Sequence, residues 1–517
     1  MEKNVYFNYL NKYKIRILIM MVLCILLTVT SLLKPYIISN FFDLLTNNLR
    51  DTKKVVNNIY LLILIWMNQI ITGYFFNMEK IKLDSKFMFN ILSNVIEHLK
   101  VIPYSEYIKL DSGYLCDRLV SDASEISNFI IENIFEVTIN ILSITISYFM
   151  IFKIYFLFGL ILLPMFLIYS MLYIFFKEKI YLSNYTYTDE HSKFFSKLIR
   201  ELKNIKSIKI NSWHKESKNE LYNAFVLLFN KGVNFSKISY MYSNVQNVVT
   251  FSSNIVILLY GVSLVEKNII TIGKLIVFNS FFNVIISGIN YFLSLSQQYQ
   301  QYLASKNRID KLLLIKEEII GNVTLKEVED LQIRNLSFYY EKENQIIKNL
   351  NYKFKKGKIY CICGKNGSGK STLFDLLLGL YDNYSGEIYI NSTNLKYINL
   401  YNFRKENVSI CQQEPDVFSY TINKNKKNSY FNCIFNNYKN LSGGEKQKSA
   451  LNMCLNKKFD ILLLDEPSSA LDKDSVKKLK QILKKLKKNS IIIVITHDRE
   501  LIENADYIIN IGDVINK

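Results

Sequence analysis

Long apolar runs fill the first 293 residues of this 517-residue chain, and short ones set between charged segments fill the rest. A helix needs roughly 20 apolar residues to cross a bilayer, and six stretches meet that length, at about 15–35, 57–77, 133–152, 154–176, 245–265 and 272–293. Only Lys153 and its neighbours separate the third from the fourth, which predicts a tight turn. Charged stretches of helical period lie between the second and third spans and between the fourth and fifth, so the spans are expected to extend well beyond the membrane on one side. From about Leu331 the pattern changes to short strands such as Ile359–Cys363 and Ile461–Leu464, alternating with helical segments. That alternation predicts a parallel sheet with crossover helices. The expected molecule is multi-domain: an all-α six-helix transmembrane domain over residues 1–310, a linker at 311–328, and an α/β domain over 329–517.

Composition sharpens the membrane half. Half the residues are hydrophobic and the net charge is +19. Lysines concentrate in the stretches assigned to the N-terminal side, as the positive-inside rule expects, so the N-terminus and the α/β domain are expected in the cytoplasm of a multi-pass cell-membrane protein. No nucleic-acid reading module is present, and nucleic acid is excluded as a partner. The lysine run Lys477–Lys488 puts Val476, Leu479, Leu483 and Leu486 on one helical face, the pattern of a solvated basic surface. Lys12, Lys14 and Arg16 precede an apolar run, Ile17–Leu33, too long for a signal peptide, so it reads as a retained first span. The seven cysteines, Cys24, Cys116, Cys361, Cys363, Cys411, Cys433 and Cys454, show no zinc spacing and read as small buried apolar residues in a reducing compartment.

Two polar stripes interrupt the apolar spans. At about 100° per residue, Asn279, Asn283, Ser287, Asn290 and Ser294 share one arc of the sixth span, and Glu136, Asn140, Ser143 and Ser147 share one face of the third. Polar groups face protein or water rather than lipid. These stripes either bond helix to helix or line a translocation path; in the second case Glu136 favours cationic cargo.

The α/β half carries chemistry. Gly364-Lys365-Asn366-Gly367-Ser368-Gly369-Lys370-Ser371 fits G-x-x-x-x-G-K-[ST], with Thr372 following. Its glycines let backbone N–H groups approach phosphate oxygens at a helix N-terminus. Lys370 is expected on the β- and γ-phosphates and Ser371 on Mg²⁺. Ile461–Leu464 ends in two acids: Asp465 suits the Mg²⁺ shell, and Glu466 suits deprotonating water. Ser442-Gly443-Gly444-Glu445 has capping-box spacing, a second anion cradle that makes sense if it closes on a nucleotide held by another subunit.

Together these motifs resemble an exporter-type ABC transporter half-molecule over nearly the whole chain. Leu441–Gln447 (LSGGEKQ) and Leu462–Asp472 (LLLDEPSSALD) carry the resemblance most specifically. It implies that Tyr340 stacks on adenine, that Gln413 senses Mg²⁺, that Asp472 belongs to the loop reaching the second site, and that His497 holds the γ-phosphate. It also implies that Gly113-x-Leu115-x-x-Arg118-Leu119-x-x-Asp122 belongs to the first coupling loop and that Thr271–Leu275 enters the sixth helix. The chain departs from the family in one segment: only 27 residues lie between Gln413 and Leu441, and Asn423–Asn440 is Asn- and Lys-rich without the acidic exporter loop. Coupling is therefore expected to be weak or differently built. No peptidase precedes the first span, which disfavours a leader-cleaving exporter. The expected function is ATP-hydrolysis-driven export of an amphiphile (peptide, lipid or drug-like) by a dimer with a second, identical or different, half, in contact with membrane lipids. The alternative is an ATP-binding regulatory or sensory membrane protein, or the catalytic half of a heterodimer with weak transport coupling.

Overall fold

The computed structural model describes residues 9–46, 52–110, 112–340, 345–365, 367–414, 430–431 and 442–511. They group into two compact units: residues up to Lys100 with Leu110–Ile315, and Val101–Lys109 with Lys316 onward. The expected linker 311–328 is divided between them. Its first residues end a long helix, while Val323 bridges to Ile398 in the second unit and Val328 is buried in that unit's core.

In the first unit the apolar runs become six long helices: α1 (Lys14–Thr46), α2 (Thr52–Leu99), α3 (Ser112–Ile154), α4 (Phe156–Lys203), α5 (His214–Glu266) and α6 (Ile272–Leu313). Five of them, all but α4, are long and apolar enough to cross a membrane among the described residues. The expected span 154–176 lies in α4, where several side chains fall outside the described residues. All six run past their apolar cores, as the charged helix-periodic stretches predicted. The sixth span is the most enclosed, with Phe278, Phe281 and Phe282 fully buried. Thr271 caps α6 by accepting from the Lys274 amide, and the Asp43 carboxylate at the end of α1 accepts from the Gly273 amide at 2.9 Å and the Thr271 hydroxyl at 2.9 Å. Charge on that helix N-terminus is favourable.

The segment expected in the first coupling loop, Gly113–Asp122, forms the first turns of α3 instead. Asp122 is buried there and receives a fork from Arg308 of α6, at 2.8 and 2.5 Å. Planar two-point pairing of this kind fixes orientation as well as charge. The chain that groups with the second unit is the preceding stretch, Val101–Lys109, with a single-turn helix at Tyr104–Tyr107.

The second unit contains two sheets. β1 (Asp330–Tyr339), β2 (Gln345–Lys355), β4 (Ser385–Ile390) and β5 (Thr393–Asn394) form an antiparallel sheet in the order β2-β1-β4-β5. β3 (Ile359–Cys363), β6 (Val408–Cys411), β7 (Ile461–Asp465), β8 (Ile491–Ile495) and β9 (Tyr507–Asn510) form a parallel sheet in the order β6-β7-β8-β3-β9. β7 and β8 are buried at every residue. Strands covered on both faces need continuous apolar runs, which is why Ile461–Leu464 and Ile491–Ile495 carry no polar alternation. Helices α7 (Lys370–Leu377), α8 (Gly443–Asn456) and α9 (Lys473–Leu486) follow the strands. The molecule is thus a helical transmembrane domain plus an α/β domain, the expected fold class.

Candidate nucleotide site

Most of the expected nucleotide-site residues of the second unit sit just past the carboxyl ends of parallel strands, where open α/β sheets place their ligands. β3 runs into the glycine-rich turn and α7. Gly367 and Gly369 have φ of +81° and +88°, and a Cβ on Gly369 would lie 2.7 Å from Ile346, so this turn requires glycine. The Lys370 ammonium folds back on its own loop, donating to the Gly364 carbonyl at 2.7 Å and the Lys365 carbonyl at 3.1 Å. Ser368 Oγ is buried without a protein partner. Asn366 lies outside the described residues.

A cavity of about 470 Å³ is lined by Tyr340, Gly367, Gly369, Lys370, Ser371, Thr372, Gln413, Asp465 and Glu466. Residues more than a hundred positions apart in sequence thus share one pocket. The Ser371 hydroxyl donates to Asp465, whose carboxyl is pushed up by burial and held partly down by Ser371 and Lys370. Hydroxyl, carboxylate and amide oxygens from Ser371, Asp465 and Gln413 form a hard donor set that suits Mg²⁺. Glycine amides and Lys370 suit a polyphosphate.

Glu466 sits one residue past the strand with φ of +44°, the left-handed region that a non-glycine residue adopts only when the surroundings enforce it. Its amide donates to the Ile495 carbonyl at 2.9 Å, which fixes the turn against β8. Burial pushes its carboxyl up, opposed by His497. His497 Nε2 lies 3.7 Å from Glu466 Oε1, and the imidazole is more than half exposed.

Four other expected residues are elsewhere. Ser442 caps α8 in a complete capping box with Glu445, followed by Gly443 and Gly444, and none of the three lines the phosphate pocket. Asp472 is the N-cap of α9, bonded to Ser475 and paired with Lys448 at 2.5 Å, and it does not line the pocket either. Ser442 and Gly443 are exposed on this chain and Gly444 is partly so.

Two side chains escaped the sequence reading. Asp375, one turn beyond Ser371 on α7, has its carboxyl raised to about 6 by burial and the neighbouring Asp465. Tyr381, just after α7, packs against Tyr340 with ring centroids 5.4 Å apart. A carboxylate within the apolar run Leu373–Leu378 was the available signal for the first. For Tyr381 there was none.

In the first unit, Asn283, Ser287 and Ser294 of the α6 stripe are exposed on the isolated chain, while Asn290 accepts from the Gln246 amide at 3.1 Å. Asn290 and Ser294 line a cavity of about 320 Å³ with Tyr173, Lys177, Tyr242 and Gln246. On α3, Ser143 and Ser147 are buried, and Glu136 does not line that cavity.

Residues 17–289 match the family model described as ABC transporter transmembrane region, and residues 347–469 match the one described as ABC transporter. A lacticin-481/lactococcin-DR transport/processing ATP-binding protein of Lactococcus lactis is 28% identical over 64% of this chain and 51% of its own length. A putative export ATP-binding/permease protein of Rickettsia prowazekii is 27% identical over 99% of this chain and 94% of its own. The chain thus spans about half the length, or less, of several curated relatives it matches and nearly all of another. The structure of a bacterial Atm1-family ABC exporter with ATP bound aligns with a TM-score of 0.82 at 16% identity, covering 97% of this chain and 94% of that one. At that identity the likeness is one of fold.

Proposed function

The chain belongs to the ABC transporters, as an exporter-type half with its membrane region and ATP-hydrolysing domain on one polypeptide, and from this we propose how its residues work and what it carries. Two halves act together. Each nucleotide lies between the Gly364–Ser371 loop of one chain and Ser442-Gly443-Gly444 of the other, with Asp472 at the same junction. The separation of Ser442–Gly444 from the phosphate pocket within one chain supports this, as do the exposed polar positions Asn283 and Ser287, which need a partner or water rather than lipid. The ATP domain and N-terminus face the cytoplasm. The second half is either identical or a related chain.

In the nucleotide site, Tyr340 stacks on the base and the amides of Gly364–Gly369, with Asn366 among them, hold the phosphates beside Lys370 and Thr372. Ser371, Asp465 and Gln413 would hold Mg²⁺, which when bound neutralises charge on the β- and γ-phosphate oxygens. Glu466 takes the proton of the attacking water; its raised pKa brings it nearer the pH at which a general base is most effective. His497, near Glu466, swings onto the γ-phosphate. Closure of the two sites drives the membrane halves from inward- to outward-facing, and hydrolysis resets them.

The cargo is an amphiphile, and a small peptide is favoured. Gln246, Asn290 and Gln300 offer both donors and acceptors to peptide bonds, beside the apolar faces of Tyr173 and Tyr242. Relatives named for lacticin and mesentericin transport support the same choice, while one named as a lipid A-core flippase keeps lipid as the rival.

The observation that carries the proposal is the assembly of Lys370, Ser371, Gln413, Asp465 and Glu466 around one cavity. The test is ATP hydrolysis by the chain purified alone in lipid nanodiscs, beside Glu466→Gln. Activity that falls roughly 100-fold or more in the variant supports a competent homodimer. ATP bound but not hydrolysed by the unsubstituted chain points to a missing partner half.

A further inference from the structure

An aromatic path crosses the second unit from the phosphate pocket to the segment that joins two membrane helices. Tyr340, at the pocket, packs edge-on against Tyr381, with centroids 5.4 Å apart at 76°. Tyr381 packs edge-on in turn against Tyr104, 6.1 Å away at 74°. Phe338 supports both Tyr340 and Tyr381, at 5.0 and 5.2 Å. Edge-to-face pairs at these separations prefer a mutual angle, worth about 0.5–1.5 kcal/mol beyond their burial, so each ring biases the position of the next.

The burial pattern separates this path from ordinary core packing. Tyr381 is only 5% exposed, yet the end rings Tyr104 and Tyr340 are 40% and 48% exposed. A core cluster buries all its members, whereas this one leaves both end rings exposed. The Tyr340 hydroxyl also bonds the Thr372 hydroxyl at 3.1 Å, tying the first ring to the phosphate loop's helix.

A rigid polar frame brackets the far end. The Val101 carbonyl accepts from the Glu318 amide at 2.8 Å. The Glu318 carboxylate is forked by Arg404, which also donates to the Leu378 and Gly379 carbonyls at 2.8 and 2.9 Å. Those carbonyls lie three and two residues before Tyr381, so segment 101–104 and the approach to Tyr381 hang from one frame. Beside Tyr381 a cavity of about 380 Å³, lined by Pro103, Ile319, Tyr384 and Leu400, gives its ring somewhere to go. A close-packed core lacks such room.

We propose that Tyr381 is a positioning residue that couples the base-stacking Tyr340 to Tyr104, so that nucleotide occupancy sets the conformation of Val101–Lys109. This rests on the reading of Tyr340 as the base-stacking ring. The path uses the end of β1, the segment just after α7 and the single turn at Tyr104–Tyr107. It bypasses the stretch between Gln413 and Leu441, where this chain is short, so it does not depend on that stretch. Contiguous packed side chains with two available arrangements are one physical route for such coupling.

The test is amide hydrogen exchange of residues 101–109 in the full-length protein in nanodiscs, with and without the non-hydrolysable nucleotide AMP-PNP. Bound AMP-PNP is expected to slow exchange of that segment tenfold or more in the unsubstituted chain and in Tyr381→Phe, which keeps the ring. Tyr381→Leu is expected to bind AMP-PNP within threefold of the parent but to lose the slowing. Tyr104→Leu, at a partly exposed position that folding tolerates, is expected to lose it too. Nucleotide-dependent slowing that survives both leucine variants overturns the proposal, as does its absence in the unsubstituted chain with AMP-PNP bound. Tyr340→Ala separates the two readings. Unchanged AMP-PNP affinity there sinks the base-stacking assignment, whereas tenfold weaker binding beside intact slowing in Tyr381→Leu sinks the relay alone.

Discussion

The two units of this protein distribute their polar residues in opposite ways. In the ATP unit a handful of residues on short contiguous motifs converge on one cavity: Lys370 and Ser371 from one strand end, Asp465 and Glu466 from another, Gln413 from a third. In the membrane unit the polar positions are spread along helices, and Asn279, Asn283, Ser287, Asn290 and Ser294 extend over four turns of α6. Chemistry at a phosphoryl group demands charges placed within ångströms, which strand ends on a rigid parallel sheet supply. The proposed amphiphile cargo would demand polar positions distributed along a path, as they are along α6. Single substitutions should therefore act as switches in the first unit and as graded adjustments in the second.

The largest effect tests the switch. Lys370→Ala removes the ammonium aimed into the phosphate loop and is expected to lower ATP turnover roughly 100-fold or more, measured as phosphate release in nanodiscs. A loss below about tenfold would show that the loop's amides suffice.

Asp375 probes the electrostatics of the same cavity. Its carboxyl is raised from 3.8 to about 6, so the folded state holds a proton that the unfolded state releases. Its contribution to stability is present below about pH 4 and is lost as pH rises towards 6, amounting at most to roughly 3 kcal/mol. Asp375→Asn should remove that slope, making the ATP unit more stable than the parent above pH 6. Thermal unfolding from pH 4 to 7.5 with chelator present is the measurement, and parallel curves for the two proteins would refute the buried-carboxylate account.

In the membrane unit, Asn283→Leu and Asn290→Leu are expected to reduce uptake of a labelled hydrophobic peptide into inverted vesicles by about threefold per site, the scale of one intramembrane hydrogen bond. Uptake at the parent rate in the double variant would remove the stripe from the path. The smallest effect is expected at Lys193→Ala, which breaks exposed pairs with Asp189 and Glu190 and should leave the melting midpoint within about 1 °C.

Legibility followed the same division. Local signals marked the glycine turn, the buried strands β7 and β8 and the α8 capping box, because each depends on residues a few positions apart. The apolar runs likewise foretold six long helices with extensions beyond their apolar cores. Tyr381 and Asp375 were missed, since their surroundings come from β1, β7 and the Val101–Lys109 turn. The segment Gly113–Asp122 was expected in a loop, yet Asp122 is held within α3 by Arg308, 186 residues away.

The sequence alone determined the order of the helical and α/β halves and the glycine turn, because periodicity and motif spacing are local properties of the chain, and its motifs carried the resemblance to the family. Only the tertiary structure decided which carboxylates are buried, which rings touch, and that Ser442–Gly444 stand apart from the pocket they resemble a part of. Burial and juxtaposition are set by packing between distant segments, and no window of sequence contains both partners.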